Sequence, residues 1–217
     1  MAFDAMTQWK SFFKNNYSEI INIFYGQLVS RIYVTENNKY QEKSSNYSPI
    51  CFFNLSIPKS SSETDIYDCF DLFTQNIELN GDNKWKCDKT NNYYDAIQNI
   101  KIWKFPSVLI INLKRFNNSR RKIKKLIDFP IDNLDLRKYC EGYDAHKSIF
   151  NLYAVCNHSG NLNSGHYYAY CKNLNNKWYK YNDRNVSLLE ESNSVTSNAY
   201  CLFCLLYTSD AADDVIS

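Results

Sequence analysis

Residues 164–183 read SGHYYAYCKNLNNKWYKYND, and the pairing they imply decides the fold. A polar, glycine-containing loop, Ser159 to Gly165, enters an aromatic run from Tyr167 to Lys172. After a polar turn, a second run from Lys177 to Tyr181 ends in Asn182-Asp183. Aromatic and polar residues alternating in this way pattern strands with one wet face. Paired as a hairpin, the two runs return Asn182 or Asp183 to His166, where either accepts the proton of one ring nitrogen and leaves the other nitrogen as a base. A histidine at a strand mouth has its ring beside a cleft and its backbone fixed by the sheet, as a general base requires. The competing readings are a buried structural histidine at 166 and a plain turn over Asn182 to Asn185. The other two histidines are weaker candidates. His146, among Asp144, Ala145 and Lys147, reads as solvated, and His158, at a strand end, as bonded to a neighbouring loop.

Working outward, Phe150 to Cys156 and Ala199 to Phe203 bring the strands to four, joined by short polar loops, which implies a mainly antiparallel sheet. Ser107 to Phe116 contains Val108, Leu109, Ile110, Ile111 and Leu113, a run too short and too branched for a helix; it reads as a strand covered on both faces. The basic cluster Arg120, Arg121, Lys122, Lys124 and Lys125 follows. It reads first as a solvated hairpin tip, with a dedicated anion site as the alternative. Trp9 to Phe24 has the spacing of an amphipathic helix interrupted near Asn15 and Asn16. Beyond Gly26, Leu28, Ser30, Ile32 and Val34 alternate with Val29, Arg31 and Tyr33 in a strand that runs into a polar turn, Glu36 to Asn46. A second strand covers Ile50 to Ile57. Ser60, Ser61 and Ser62 offer N-cap hydroxyls to a helix reaching about Gln75, with Ile66, Cys69, Phe70 and Phe73 on its apolar face, and a short strand follows at Trp85 to Cys87.

The chain has 217 residues, 44% hydrophobic and 16% aromatic, enough for a packed core. Lys plus Arg number 25 against 23 Asp plus Glu, so the net charge of +2 gives no reason to expect a general polyanion such as DNA as the partner, and no nucleic-acid partner is expected. No apolar run approaches the roughly 20 residues that cross a bilayer. Met1 to Trp9 lacks the pattern of a secretory leader, and the eight cysteines are scattered without short paired spacings. Reduced thiols point to the cytoplasm, with the nucleus also open.

The motifs Tyr153-Ala154-Val155-Cys156-Asn157-His158-Ser159-Gly160, Gly165-His166-Tyr167-Tyr168-Ala169-Tyr170-Cys171, Trp178 to Val186 and Ala199 to Phe203 together resemble the histidine box of ubiquitin-specific proteases. Val108 to Phe116 is similar to that family's central palm strand, Phe129-Pro130 with Leu134-Asp135-Leu136 to its next segment, and Gly26-Gln27-Leu28 and Leu55-Ser56-Ile57-Pro58 to the edges of its fingers. The resemblance spans about Trp9 to Phe203. It implies an α+β, papain-like cysteine protease fold with fingers over about 26–95, a palm over about 96–203 and most of the thumb missing. It implies His166 as general base, Asn182 as its orienting partner and Asp183 as a second acidic position. Ser159 to Gly165 would be a loop beside the channel for ubiquitin's tail, with Gly160, Ser164, Gly165 and Tyr167 contacting that tail. The implied partners are ubiquitin and ubiquitinated proteins, and the implied reaction is isopeptide hydrolysis at ubiquitin's C-terminal glycine.

Three departures qualify the resemblance. The family's nucleophile lies in an Asn-x-Cys stretch, which this sequence lacks, and no cysteine has surroundings that depress its pKa; the chain alone is therefore expected to be inactive. A catalytically dead ubiquitin-binding module is the alternative, and a peptidase of another ubiquitin-like modifier would share the same residues. The two Cys-x-x-Cys pairs that hold structural zinc in the fingers fall on Val34, Asn37, Cys87 and Thr90, so no metal and no other cofactor is expected. Finally, Cys204 to Asp213 reads CLLYTSDAAD, which resembles a translated sequencing-library adapter. Residues 204–217 are expected to be a non-native tail.

Overall fold

The computed structural model describes residues 1–36, 39–59 and 63–207. Two helices, α1 (Ala2–Phe12) and α2 (Glu19–Phe24), open the chain, separated around Asn15 and Asn16 as the spacing suggested. β1 (Gly26–Glu36) and β2 (Lys39–Ile50) then form a long antiparallel ladder, from Gly26 opposite Ile50 to Glu36 opposite Lys39. Most of the segment expected as a polar turn is therefore strand. Ile50 ends that strand, and β3 (Phe53–Ser56) is a separate element in a different sheet.

α3 (Ile66–Phe73) begins at Asp65, not at the serines, which lie outside the described residues. Asp65 accepts the Asp68 amide while the Asp68 carboxylate accepts the Asp65 amide, a reciprocal cap that satisfies two otherwise orphaned donors. The remaining strands are β4 (Ile77–Leu79), β5 (Trp85–Lys86), β6 (Tyr93–Tyr94), β7 (Ala96–Lys104), β8 (Val108–Lys114), β9 (Leu134–Asp135), β10 (Ile149–Gly160), β11 (Gly165–Lys172), β12 (Trp178–Asn182), β13 (Asn185–Leu189) and β14 (Ala199–Leu206). Sequence patterning missed β4, β7 and β13.

A four-stranded sheet has the order β2-β1-β7-β4 and is called the fingers sheet below; in an eight-stranded one, called the palm sheet, β13-β12-β11-β10-β14-β8-β3 run side by side and β9 joins β10. All palm pairs are antiparallel except β3 with β8. β7, beyond residue 95, pairs in the four-stranded sheet, whereas β3 and α3, which precede it, pack into the core of the eight-stranded one. β14 continues to Leu206, with Cys204 opposite Leu109 and 1% exposed, so those residues complete a core strand; residues 208–217 lie outside the described residues.

The palm core explains the choice of residues. β8 buries one face through Leu109, Ile111 and Leu113 and covers the other less fully, with Val108 buried but Ile110 and Asn112 half-buried, and the rings of Phe53, Phe70, Phe105, Phe150 and Tyr139 meet in tilted and edge-on contacts at 5.2–6.4 Å. α1 docks on the fingers near their base. Ala5 packs with Val29, Tyr47 and Trp103, while Gln27 donates to the Ala5 carbonyl at 2.9 Å. Buried Arg31 of β1 reaches Glu141, at the palm, at 2.5 Å, tying the two sheets together.

Candidate active site

β10, β11 and β12 are consecutive antiparallel neighbours, and their register builds the site. Gly165 pairs with Gly160, His166 with Ser159, and Ala169 with Tyr181, so Asn182 comes up beside the His166 face of β11. The His166 Nε2 and the Asn182 Oδ1 lie 2.5 Å apart. An amide oxygen only accepts, so Nε2 carries the proton and Nδ1 is left with its lone pair, the tautomer a base needs. The Asp183 carboxylate is 4.0 Å from the same nitrogen, beyond a hydrogen bond. Asp183 takes a φ of +51° in the two-residue turn between β12 and β13, a conformation aspartate tolerates better than most residues. The His166 side chain is 46% exposed, open to a reactant. Tyr168 stacks on it at 6.4 Å with 22° between the planes, and the Tyr168 hydroxyl accepts from Asn198 at 3.2 Å. Sequence reasoning overlooked Tyr168 and Asn198; two-residue alternation from His166 along β11 was the signal for the first.

The opposite face of the same strands is structural. Tyr167 lies there, not beside His166, with its ring 4.7 Å from His158 and 6.1 Å from Tyr200. The pleat puts Tyr167 on the face opposite His166, where its side chain stays 55% exposed. His158 is 4% exposed within β10, not at its end, and its amide donates to the Asn198 carbonyl at 2.9 Å. Burial, then the Lys122 charge, holds its imidazole below the ordinary value. His146 lies in a single turn of 3-10 helix, as a solvated residue would.

The loop beside the site is shorter than its polar composition suggested. Ser159, Gly160 and Gly165 are paired in strands, and only 161–164 turn. The Asn161 side chain closes that turn by accepting the Asn163 and Ser164 amides, each at 2.9 Å. Both flanking glycines serve close approach within the hairpin. A Cβ on Gly165 would lie 2.1 Å from the His158 Nε2 and one on Gly160, whose φ is +104°, 2.4 Å from the Ser164 carbonyl oxygen. Because Phe116, Tyr167 and Tyr200 surround the His158 ring, Gly165→Ala is expected to cost about 1–3 kcal/mol, measured by urea denaturation.

The cysteines divide by environment. Burial pushes Cys69 and Cys204 up to about 12 and Cys201 to about 11, and raises Cys140, Cys156 and Cys171 as well. Such thiols are poor nucleophiles at neutral pH. Cys87 is the exception that the sequence did not show. The Thr90 hydroxyl, then the Thr90 backbone, holds its exposed thiol below the ordinary value. It follows β5, in the two-stranded β5-β6 sheet, beside a cavity of about 110 Å³ bordered by Val34, Glu36, Lys43, Trp85 and Tyr94. This is where the family resemblance placed zinc. The donor set does not fit the ion: one thiol is present, Glu36 is engaged by Lys43 at 2.7 Å, and Val34 packs instead with Ile32, Ala96, Trp85 and Tyr94. Asn37 lies outside the described residues.

The family model described as ubiquitin carboxyl-terminal hydrolase matches residues 3–204. The chain belongs to the ubiquitin carboxyl-terminal hydrolase family. It is 36% identical over 202 residues to ubiquitin carboxyl-terminal hydrolase 2 of Bos taurus, covering 90% of this chain and 32% of that relative. The Gallus gallus protein of the same name is 35% identical over 90% of this chain and 55% of its own length. Ubiquitin carboxyl-terminal hydrolase 21 of Mus musculus is 33% identical over 92% of this chain and 35% of that protein. Among solved structures, the SAGA Ubp8/Sgf11/Sus1/Sgf73 DUB module bound to ubiquitin aldehyde aligns with a TM-score of 0.73 and 30% identity, over 90% of this chain and 44% of that one. The α+β architecture is thus that of the family's catalytic domain, and the chain spans about a third to a half of the length of these relatives.

Proposed function

We propose that this hydrolase-family chain is the fingers-and-palm portion of a cysteine deubiquitinase that cleaves isopeptide and peptide bonds after ubiquitin's C-terminal glycine. The observation that carries the reading is the 2.5 Å contact between the His166 Nε2 and the Asn182 Oδ1 on adjoining strands. His166 Nδ1 would take the proton of an attacking thiol and later return one to the leaving amine, while Asn182 fixes the ring and Asp183 supplies negative charge nearby. Gly160, Ser164 and Gly165 would border the ubiquitin tail through the hairpin tip they shape.

The attacking thiol would come from a segment outside this chain, because six of its eight cysteines are raised by burial and none occurs as Asn-x-Cys. An uncovered apolar face supports that. Phe3, Met6, Phe12, Ile20 and Ile23 of α1 and α2 are 40–80% exposed, a surface suited to packing against further chain. All eight cysteines are free, which suits a reducing compartment such as the cytoplasm. The partner would be ubiquitin; among the described residues no helix is long and apolar enough to cross a membrane.

The test is a ubiquitin probe with a C-terminal electrophile. The chain alone should form no adduct, and the protein carrying its Asn-x-Cys segment should form one. If the upstream coding sequence has serine or alanine at that cysteine, the binding-module alternative takes its place. The fingers should need no zinc: treatment with a strong chelator is expected to leave Tm unchanged and metal analysis to find no stoichiometric zinc. A chelator-induced loss of Tm would overturn this account of the fingers.

A further inference from the structure

Three stretches distant in sequence meet beside the β10–β11 hairpin tip. They are the turn after β8, the glycine at the end of β10 and the segment leading into β14. Between them lies a cleft of about 590 Å³, bordered by Arg120, Arg121, Lys122 and Lys124 on one side and by Gly160 and Asn198 on the other. Among the described residues, no ion pair is formed by any of the four cleft cations.

The walls are fixed by backbone bonds, which a solvated hairpin tip would not require. Arg120 sits at a φ of +58°, its amide donates to the Asn117 carbonyl at 2.9 Å, and the Asn117 side chain accepts the Arg121 amide at 2.9 Å. The Lys122 ammonium donates to the His158 carbonyl, pinning the turn to β10. On the far wall the Asn198 carbonyl is held by the His158 amide at 2.9 Å. Four like charges are therefore gathered around one opening, and gathering them costs free energy that an occupant can offset. Burial, then Arg115 and Lys124, already holds the Lys122 ammonium below its ordinary value.

We propose that this cleft binds a compact, multiply phosphorylated small molecule. Arginine forks match phosphate oxygens two at a time, and one carboxylate supplies too little charge to balance four cations. A nucleic acid would need a basic track, whereas the whole chain carries a net charge of only +2. The cleft also touches the site already described, since Asn198 donates to the Tyr168 hydroxyl at 3.2 Å and Tyr168 stacks on His166. The inference rests on the cleft alone, so its failure leaves the protease reading untouched.

The experiment is calorimetric titration of the full chain with inorganic tripolyphosphate at low ionic strength. Saturable binding at one site is expected, at least about tenfold tighter than for orthophosphate. The double variant Arg120→Gln, Arg121→Gln should weaken it by about tenfold or more, while Lys10→Gln, Lys177→Gln, which removes the same charge elsewhere, leaves it within about twofold. Thermal melts of both variants check that each remains folded. Equal weakening by the two variants, non-saturating heats, or equal affinity for orthophosphate would each overturn the proposal.

Discussion

His166→Ala, made in the protein that carries its nucleophile segment, is expected to lower kcat for a ubiquitin amide by about 10⁴-fold or more, with little change in ubiquitin affinity. A cysteine thiol is mostly protonated at neutral pH, so attack needs a base in reach and the leaving amine needs an acid; one imidazole does both. Affinity for the folded body of ubiquitin would come from surfaces away from this ring, which is why binding and turnover should separate. Asn182→Ala tests the geometry more finely. Its Oδ1 holds Nε2 at 2.5 Å, but Asp183 stands 4.0 Å from the same nitrogen and can move in when Asn182 is gone. The single variant is therefore expected to lose about 10²-fold in kcat and the Asn182→Ala, Asp183→Ala pair distinctly more, with Asn182→Asp near wild type. The measurement is steady-state hydrolysis of a fluorogenic ubiquitin amide. Wild-type turnover by His166→Ala would remove the base from this site altogether.

Much of this site was legible because the chemistry and the fold use the same signal. Aromatic alternation on either side of a polar turn announced β11 and β12, and a hairpin of adjacent strands has few ways to place Asn182 except near His166. Elements whose stability comes from pairing were harder to see. β2 reads KYQEKSSNYSPI and buries a single side chain, Tyr47, so no hydrophobic period marks it; β1 recruits it through a continuous ladder from Gly26 to Glu36. β7, AIQNIKIWK, is partly covered on both faces, which blurs the two-residue alternation. β13 exposes Val186 and Leu188 at an edge and is too short to stand out.

Arg115 is the residue whose role the sequence hid most completely, since beside Lys114 it looks like one more surface cation. Its side chain is fully buried just beyond the end of β8, next to the edge strand β3. Nε donates to the Ala199 carbonyl at 2.5 Å, and Nη1 to the Ile123 and Lys125 carbonyls at 3.1 and 2.8 Å. One guanidinium thus joins β8 to the start of β14 and to the end of the basic loop. Burial lowers its pKa to about 10, so it remains charged at neutral pH, and desolvation offsets part of what its bonds contribute. The bonds win because deletion would take this donor from three carbonyls, the buried Ala199 carbonyl, at about 1–3 kcal/mol, and the part-buried carbonyls of Ile123 and Lys125, and would also open a cavity. Arg115→Ala is expected to destabilise the fold by about 3–5 kcal/mol, measured by urea unfolding of the chain. Arg115→Met separates the two contributions. Methionine refills most of the volume but accepts and donates nothing useful here, so it should remain at least about 2 kcal/mol below wild type if the carbonyls matter. A methionine variant as stable as the wild type would mean that Arg115 only fills space, and that β14, with Asn198 just ahead of it, reaches its place beside Tyr168 and His166 without the guanidinium.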